Sequence, residues 1–571
     1  MTRPSVLPLV FALAFAAVSS PRASALEVKE VRWGFDGKAV YGKFNLLSVL
    51  VAEPGPGAFD GDISLIETRG SDAAVGAPQV QKVYVTPGTE RWVQFAPFIT
   101  SKDGWKLRWG KSGHHEFDGP ADDAPATVFL LDPNGTFASR APLRAFPEDL
   151  FPTSVVLTDG LDQLVLDHVP RWDAPRREAF LDWLRRGGVA HLVRGPSGPP
   201  VFEGDLAPLN IASPKERFGA GFIARHDISA EDCNDRFLQS AGFPLRGNLK
   251  DPNEYDIFYG FDATVLQGLA GMTKPAVQWW LLYLLTIAYL VVIGPVHYRW
   301  SRKVDYRVAI GGFLGTVAAF SLAFIFAGSR GAGEIQTAHT IAIAHALGEK
   351  RWDVMQWVSA FATTGDKYRL THAAPWNAYA APSESENVNG AILNGKGGYL
   401  EVDIPLYSSR PFVHRGVMAG PSAAAQVVEW KDDRVVVQLP ADFPSDLMEA
   451  RARRGDQFLP LRKQGSNWVF DEKTEGAKDA DTFFARETLQ HSTYEARGDF
   501  DPAKFFPLLA ASFYGDVKGF PNRVSRRQMP PDQMQLLLYG SAPQSFEMQG
   551  KGFHGEKGWV LYVIDLIRPT P

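Results

Sequence analysis

The residues whose types could carry chemistry fall in five short stretches of a 571-residue chain. The one cysteine, Cys233, stands in Glu231-Asp232-Cys233-Asn234-Asp235. Flanking carboxylates raise a thiol's pKa, and no glycine stands at the spacing of a strand-to-helix nucleophile elbow, so thiolate catalysis is not expected there. A single cysteine also excludes an intramolecular disulfide and any zinc site of paired thiolates. His114, His115 and Glu116 with Asp118 offer imidazole and carboxylate donors suited to zinc or nickel. Neighbours along a strand point to opposite faces, so these residues read as an exposed loop and no metal is assigned. Gly390 to Gly397 nearly spells a phosphate loop, but Gly397 stands where a Ser or Thr would ligate magnesium, which leaves a strand-connecting turn. Gly195-Pro196-Ser197-Gly198-Pro199 is a proline-bracketed turn, not a serine elbow. Asp159, Asp162 and Asp167 lie near the ends of short apolar runs, where α/β folds place ligands, and are the positions to inspect for a site.

The elements that must position these groups change character along the chain. From Leu26 to about Phe117, alternating segments such as Lys43 to Val51 and Gln81 to Thr86 are separated by Pro/Gly clusters, which predicts a β-sandwich over 26–118. Thr127 to Leu131, Ser154 to Leu157, Gln163 to Leu166 and Val189 to Val193 then read as short buried strands. Between the last two, Asp173 caps a helix over Ala174 to Arg186 that Gly187-Gly188 stops. Strand, helix and strand in that order predict a parallel α/β unit over 119–270. After 330 the strand pattern returns, with a helix expected near Asp501 to Tyr514, capped by Asp501 and opened by Pro502.

Two runs, Val277 to Val296 and Val308 to Phe326, hold no charged side chain and are long enough to cross a hydrocarbon core as helices. Spans are expected at 277–297 and 308–328. The loop between them, 298–307, carries Arg299, Arg302, Lys303 and Arg307, which places it in the cytoplasm and both large regions outside. Residues 1–25, apolar from Val6 to Val18 and ending Ala23-Ser24-Ala25, read as a cleaved signal peptide. Gly294-Pro295 would bend the first span. Lys and Arg number 59 against 64 Asp and Glu, so the basic surface of a nucleic-acid binder is missing.

The stretch Val155 to Asp162, followed by Arg176 to Gly188 with Trp183, Gly187 and Gly188 closing the helix, resembles bacterial membrane-anchored proteins with a class I glutamine-amidotransferase-like domain outside the membrane. Ile293 to Tyr298, Gly348 to Leu370 and Leu536 to Ile564 fit the same family in matching order. The resemblance implies a flavodoxin-like α/β domain. It implies also a membrane complex energised from the cytoplasm, with an AAA-type ATPase or an ABC-type system as partner. The catalytic Cys-His pair of active class I amidotransferases is not found. The expected protein is therefore a multidomain α+β membrane protein that is not an enzyme: a scaffold or accessory subunit in the inner membrane, partnered by lipid, with no cofactor and no catalytic, cofactor-binding or metal residue assigned. The alternative is an extracytoplasmic receptor or hydrolase using Asp and His groups of the α/β unit.

Overall fold

The computed structural model describes residues 26–70, 73–100, 103–133, 142–195, 198–246, 261–272, 279–328, 335–382, 388–485, 501–502, 505–514 and 529–568. The segment expected to be a signal peptide lies outside them. The chain is mostly β, with several sheets and a few helices.

The first region is a sandwich, as its alternation requires. Glu27–Trp33, Leu47–Ala52 and Glu90–Phe95 form one antiparallel sheet, whose inward Leu47, Val49 and Val51 meet Ile63, Leu65, Val83 and Leu107 of the second. That second sheet does not end with the region. Ala73–Val85 lies beside Gly390–Leu393, where Gln79 pairs with Ile392, so Tyr399–Ile404 and Asp366–Thr371 extend it to eight strands. The boundaries expected at 118 and 330 therefore do not separate independent β units: the two share a sheet. Gly76 marks the join, with φ of +67° and a position where a Cβ would stand 2.8 Å from the Ala381 carbonyl oxygen.

The α/β region holds five parallel strands, in spatial order Arg144–Pro147, Ala126–Leu131, Leu161–Leu166, Val189–Arg194 and Gly221–Ser229, with Lys215–Phe218 antiparallel at the edge. Alternate residues divide between the two faces. Val128, Leu130, Leu164, Leu166 and Leu192 join the main core, while Phe129, Val165 and Val193 pack with Cys233 and Leu238. The helix Ala174–Arg185 starts where expected, with the Asp173 carboxylate accepting from the Arg176 amide at 3.2 Å. Its closing pattern has a packing cause: the Trp183 indole donates to the Leu161 carbonyl at 2.8 Å, and a Cβ on Gly188 would stand 2.3 Å from that ring. Ser154 to Leu157, expected as a strand, is a 3-10 turn over Val155–Leu157 with the Ser154 hydroxyl accepting from the Val156 amide.

The third region is built on a ten-stranded sheet. At its centre Arg351–Ala362 lies between Ser408–Ala419 and Gln336–Ala346; Phe553–Ile567 and Gln533–Ser541 follow outward. Its long strands are apolar on both faces. Ile343, Met355, Trp357, Val413, Leu537, Leu561 and Val563 form one core with the α/β region, while Ala344, Trp352, Val354, Leu536, Leu538 and Tyr562 face a small four-stranded sheet. The helix expected from Asp501 begins later, at Phe506–Tyr514, with Pro507 in the first turn where its missing N–H costs nothing.

Two helical stretches, Trp280–Ser301 and Tyr306–Phe326, are long and apolar enough to cross a membrane, and neither is buried in the body of the protein. They pack on each other through Tyr289 against Phe320, ring centroids 5.2 Å apart. The first continues past the expected end at 297 to Ser301, so the turn is shorter than 298–307. At Gly294-Pro295 the helix widens into a π-helical segment, Val292–Val296, that accommodates the proline, whose nitrogen carries no N–H to donate.

Candidate functional site

Asp159, Asp162 and Asp167 flank or begin the Leu161–Leu166 strand, and the structure sends each to a different place. Asp159 turns into the junction between the α/β sheet and the ten-stranded sheet. There the buried Arg415 guanidinium donates to Asp353 through Nε at 3.0 Å and Nη2 at 2.8 Å, and grips both oxygens of Asp159, Nη2 at 3.1 Å. Arg186, at the end of the Ala174–Arg185 helix, closes the ring, with Nη1 2.8 Å from Asp159 and Nε 3.0 Å from Asp353. Burial alone would push both carboxyls up, but Arg415 and Arg186 outweigh it and hold Asp159 well below the usual carboxylate range and Asp353 below its ordinary value. Two cations and two anions thus form a closed ring joining strands far apart in sequence.

Two further charged groups stand beside the ring. The Lys43 ammonium lies 3.9 Å from the Met355 sulfur; burial lowers its pKa, opposed by Asp159 and joined by Arg415 and Arg186. Asp262, at the start of the helix Phe261–Gly271, accepts from the Trp357 indole at 2.6 Å and is pushed up to about 6 by burial. That helix packs on the ten-stranded sheet, and seven residues separate its end at Gly271 from the first apolar helix, which begins at Trp279.

At the other end of the 161–166 strand, Asp167 holds His168 Nδ1 at 2.7 Å, and Glu148, just after the 144–147 strand, holds His168 Nε2 at 3.2 Å. Glu148 is buried and also accepts from the Arg171 amide at 3.3 Å. Burial lowers the imidazole pKa, but the hydrogen bonds and charges of Asp167 and Glu148 outweigh it, so the net shift is upward. These carboxyl ends of parallel strands are where an α/β fold places ligands. Both ring nitrogens of His168 are spent on carboxylates, so the trio is arranged to hold a proton in place and not to offer a free nitrogen to a reactant.

Asp162 lies at the amino end of the strand, 3.4 Å from Arg246 and 3.3 Å from the Gln163 amide nitrogen. The Gln163 carbonyl oxygen in turn meets His191 Nε2 at 2.8 Å, and His191 Nδ1 meets His226 at 3.0 Å. Cys233 is buried on the sheet's second face, its thiol pushed up to about 12 by burial and by Asp235.

The remaining motifs resolve into structure. His114, His115 and Glu116 lie in the strand Gly113–Phe117 instead of the expected loop; Glu116 pairs with Lys106, and His115 stacks with Phe117. Gly390 to Gly397, expected as a strand-connecting turn, is instead mostly strand: Gly390–Leu393 and Gly395–Lys396 flank Asn394, whose side-chain oxygen accepts from the Tyr379 amide at 2.7 Å. Ser197 lies outside the described residues. Among the described residues, no three His, Cys, Asp or Glu side chains gather as a metal ion would need.

The sequence reading missed Arg415, Asp353, Arg186, Glu148 and His168. A signal existed for the first two: Asp353 between Trp352 and Val354, and Arg415 between Val413 and Val417 on its own face, are charges inside largely apolar strand runs. A charge there must be buried and must find its opposite.

No protein-family model and no curated protein matches the chain. Among solved structures, a Paenibacillus sp. cycloisomaltooligosaccharide glucanotransferase aligns at 10% identity over 69% of this chain and 71% of that one, with a TM-score of 0.16. An M1 zinc metallopeptidase from Deinococcus radiodurans aligns at 14% identity over 24% of this chain and 38% of that one, TM-score 0.12. A β-glucuronidase of glycoside hydrolase family 2 aligns at 8% identity over 97% and 63%, TM-score 0.12. At such scores the likeness carries no argument about fold or activity.

Proposed function

We propose that the chain is a non-enzymatic scaffold or accessory subunit of a bacterial inner-membrane complex. In this reading a two-helix hairpin anchors it, the basic turn lies in the cytoplasm and the two large regions lie outside. The α/β region is read as a catalytically empty amidotransferase-like domain. The observation that carries the reading is the state of the strand ends: Asp167 and Glu148 are both spent on His168, and the one thiol is buried with its pKa pushed up. A nucleophile needs the opposite, a lowered pKa and access. The ring of Asp159, Arg186, Asp353 and Arg415 supports it further, because it ties the α/β region to the C-terminal sheet through four ion pairs.

The test is purification of the full-length protein from its native membrane in a gentle detergent, beside a variant carrying Arg302→Glu and Lys303→Glu. Co-purification of an ATPase or transporter subunit, lost in the variant, is the expected result. A protein that emerges alone from both preparations sinks the accessory-subunit reading and turns attention to a ligand screen on the extracytoplasmic regions.

A further inference from the structure

The chain leaves its second apolar helix at Gly328 and enters the ten-stranded sheet at Gln336. Six residues, 329–334, join Gly328 to Ile335, so Ile335 stands within ~24 Å of the helix end. The sheet therefore has a near end and a far end relative to the hairpin. Strand directions say which loops share the near end with Gln336. Arg351–Ala362 is antiparallel to Gln336–Ala346, with Thr337 paired to Phe361, so its last residues are near. Ser408–Ala419 is antiparallel to that strand, with Ala362 paired to Ser408, so its first residues are near as well. The loop Pro405 to Tyr407 is thus brought to the hairpin end, two strand spacings, ~10 Å, from the entry of Gln336.

What that loop presents is unusual for this molecule. Leu406 is 61% exposed and Tyr407 beside it 41% exposed, and Ile335 is 53% exposed. Tyr407 is also the one non-glycine residue with positive φ among the described residues, at +51°. A left-handed conformation is unfavourable for a bulky side chain and is kept where the surroundings fix it. The loop is closely packed beside it: a Cβ on Gly365 of the neighbouring turn would stand 3.2 Å from the Leu406 amide nitrogen. Two consecutive exposed apolar residues held on a loop tip, with a third at the chain's exit from an apolar helix, differ from the scattered single exposures normal for a protein surface.

We infer that the Leu406–Tyr407 loop, together with Ile335, dips into the outer headgroup and acyl boundary of the bilayer and fixes the standing of the C-terminal sheet on the membrane. Leu406 supplies apolar area, and the Tyr407 ring suits the interface, apolar in its body and polar at its hydroxyl. The occupant is lipid because the patch is continuous along the chain with helices built for lipid, whose own entry residues Trp280 and Tyr283 are exposed aromatics of the interfacial kind. The inference rests on the reading that the hairpin spans a bilayer.

The experiment places an environment-sensitive dye on Leu406→Cys, Leu284→Cys or Glu349→Cys in the otherwise native full-length protein. Unlabelled Cys233 background is set by the wild type, whose thiol is buried. Leu284 lies in the first apolar helix, and Glu349 lies in the turn at the far end of the sheet, eleven strand residues from the near end. Each protein is reconstituted into phosphatidylcholine and phosphatidylglycerol vesicles carrying bromine at a shallow or a deep acyl position. The expected result is quenching of about twofold or more at position 406 by shallow bromine, quenching at 284 by deep bromine, and none at 349. Quenching at 284 with 406 behaving like 349 overturns the inference and leaves the spanning hairpin intact. No quenching at 284 overturns the spanning reading and the inference with it.

Discussion

One strand of six residues, Leu161–Leu166, has an aspartate just outside each end, and the two do opposite things. The Asp159 side chain is largely shielded from solvent and gripped by Arg415 and Arg186, which hold its carboxyl well below the usual carboxylate range. Asp167 shares its partner, His168, with a second carboxylate, and the two together outweigh burial and hold the imidazole pKa above its ordinary value. The first arrangement is a fixed weld and the second a proton-dependent clasp. Buried charge is tolerated at the first only because each anion meets two cations and each cation two anions. The second needs no such balance, since its histidine supplies or withholds charge as the pH directs.

Removing the weld should produce the largest effect. Arg415→Met would leave Asp159 and Asp353 buried with Arg186 as their common guanidinium partner, and breaking a buried ion pair from one side costs ~3–5 kcal/mol. The thermal midpoint and the protease resistance of the full-length protein in detergent should both fall sharply. A triple replacement, Arg415→Met with Asp159→Leu and Asp353→Leu, should recover much of the loss, because the penalty lies in the orphaned charges. If Arg415→Met alone changes the midpoint no more than a surface substitution does, the ring is not a weld and the contrast between the two ends collapses.

These two ends were unequally legible in the sequence. The Asp173 cap, the helix it starts and the parallel strands around it follow from local pattern, and each lies within two residues of its expected bounds. The turn at Val155–Leu157 was not legible: a run of β-branched and apolar residues reads as a strand, and only tertiary burial and the Ser154 hydroxyl make it a turn. The three aspartates were identified as positions of interest, but which would be welded, clasped or placed beside Arg246 depends on partners up to 256 positions away, as for Asp159 and Arg415. No periodicity encodes a pairing at that separation. The sharing of one sheet by the first and third regions is hidden for the same reason, since it hangs on the single parallel pairing of Gln79 with Ile392.

The clasp should show itself through pH. A group whose folded pKa is raised contributes stability that is fully present below its unfolded value, near 6.5, and lost as the pH rises through the folded value. His168→Gln removes that contribution. The wild type should therefore exceed the variant by ~1.5–3 kcal/mol in mildly acidic buffer, the range of hydrogen bonds to charged groups. The gap should close as the buffer becomes alkaline. Urea midpoints measured across pH 5 to 9, a range of about four units chosen to bracket the imidazole, would decide it. Equal gaps at both extremes would mean that His168 packs without titrating, and that the two ends differ in burial alone.

The smallest effect sharpens the comparison from a third aspartate. Asp173 caps the helix that ends in Arg186, so the weld's second guanidinium is carried by an element whose start is fixed by an exposed carboxylate. Asp173→Ala removes the bond to the Arg176 amide and the side-chain contact to Arg176, a loss of ~1 kcal/mol typical of an N-cap. Fraying at the first turn should not reach Arg186, since the buried Phe180, Trp183 and Leu184 hold the later turns against the sheet. Amide hydrogen exchange should therefore quicken over residues 174 to 178 and stay unchanged over 183 to 186. If exchange quickens along the whole helix, cap and weld are one cooperative unit, and the rigidity assigned to the ring belongs to the helix that delivers Arg186 as much as to the charges themselves.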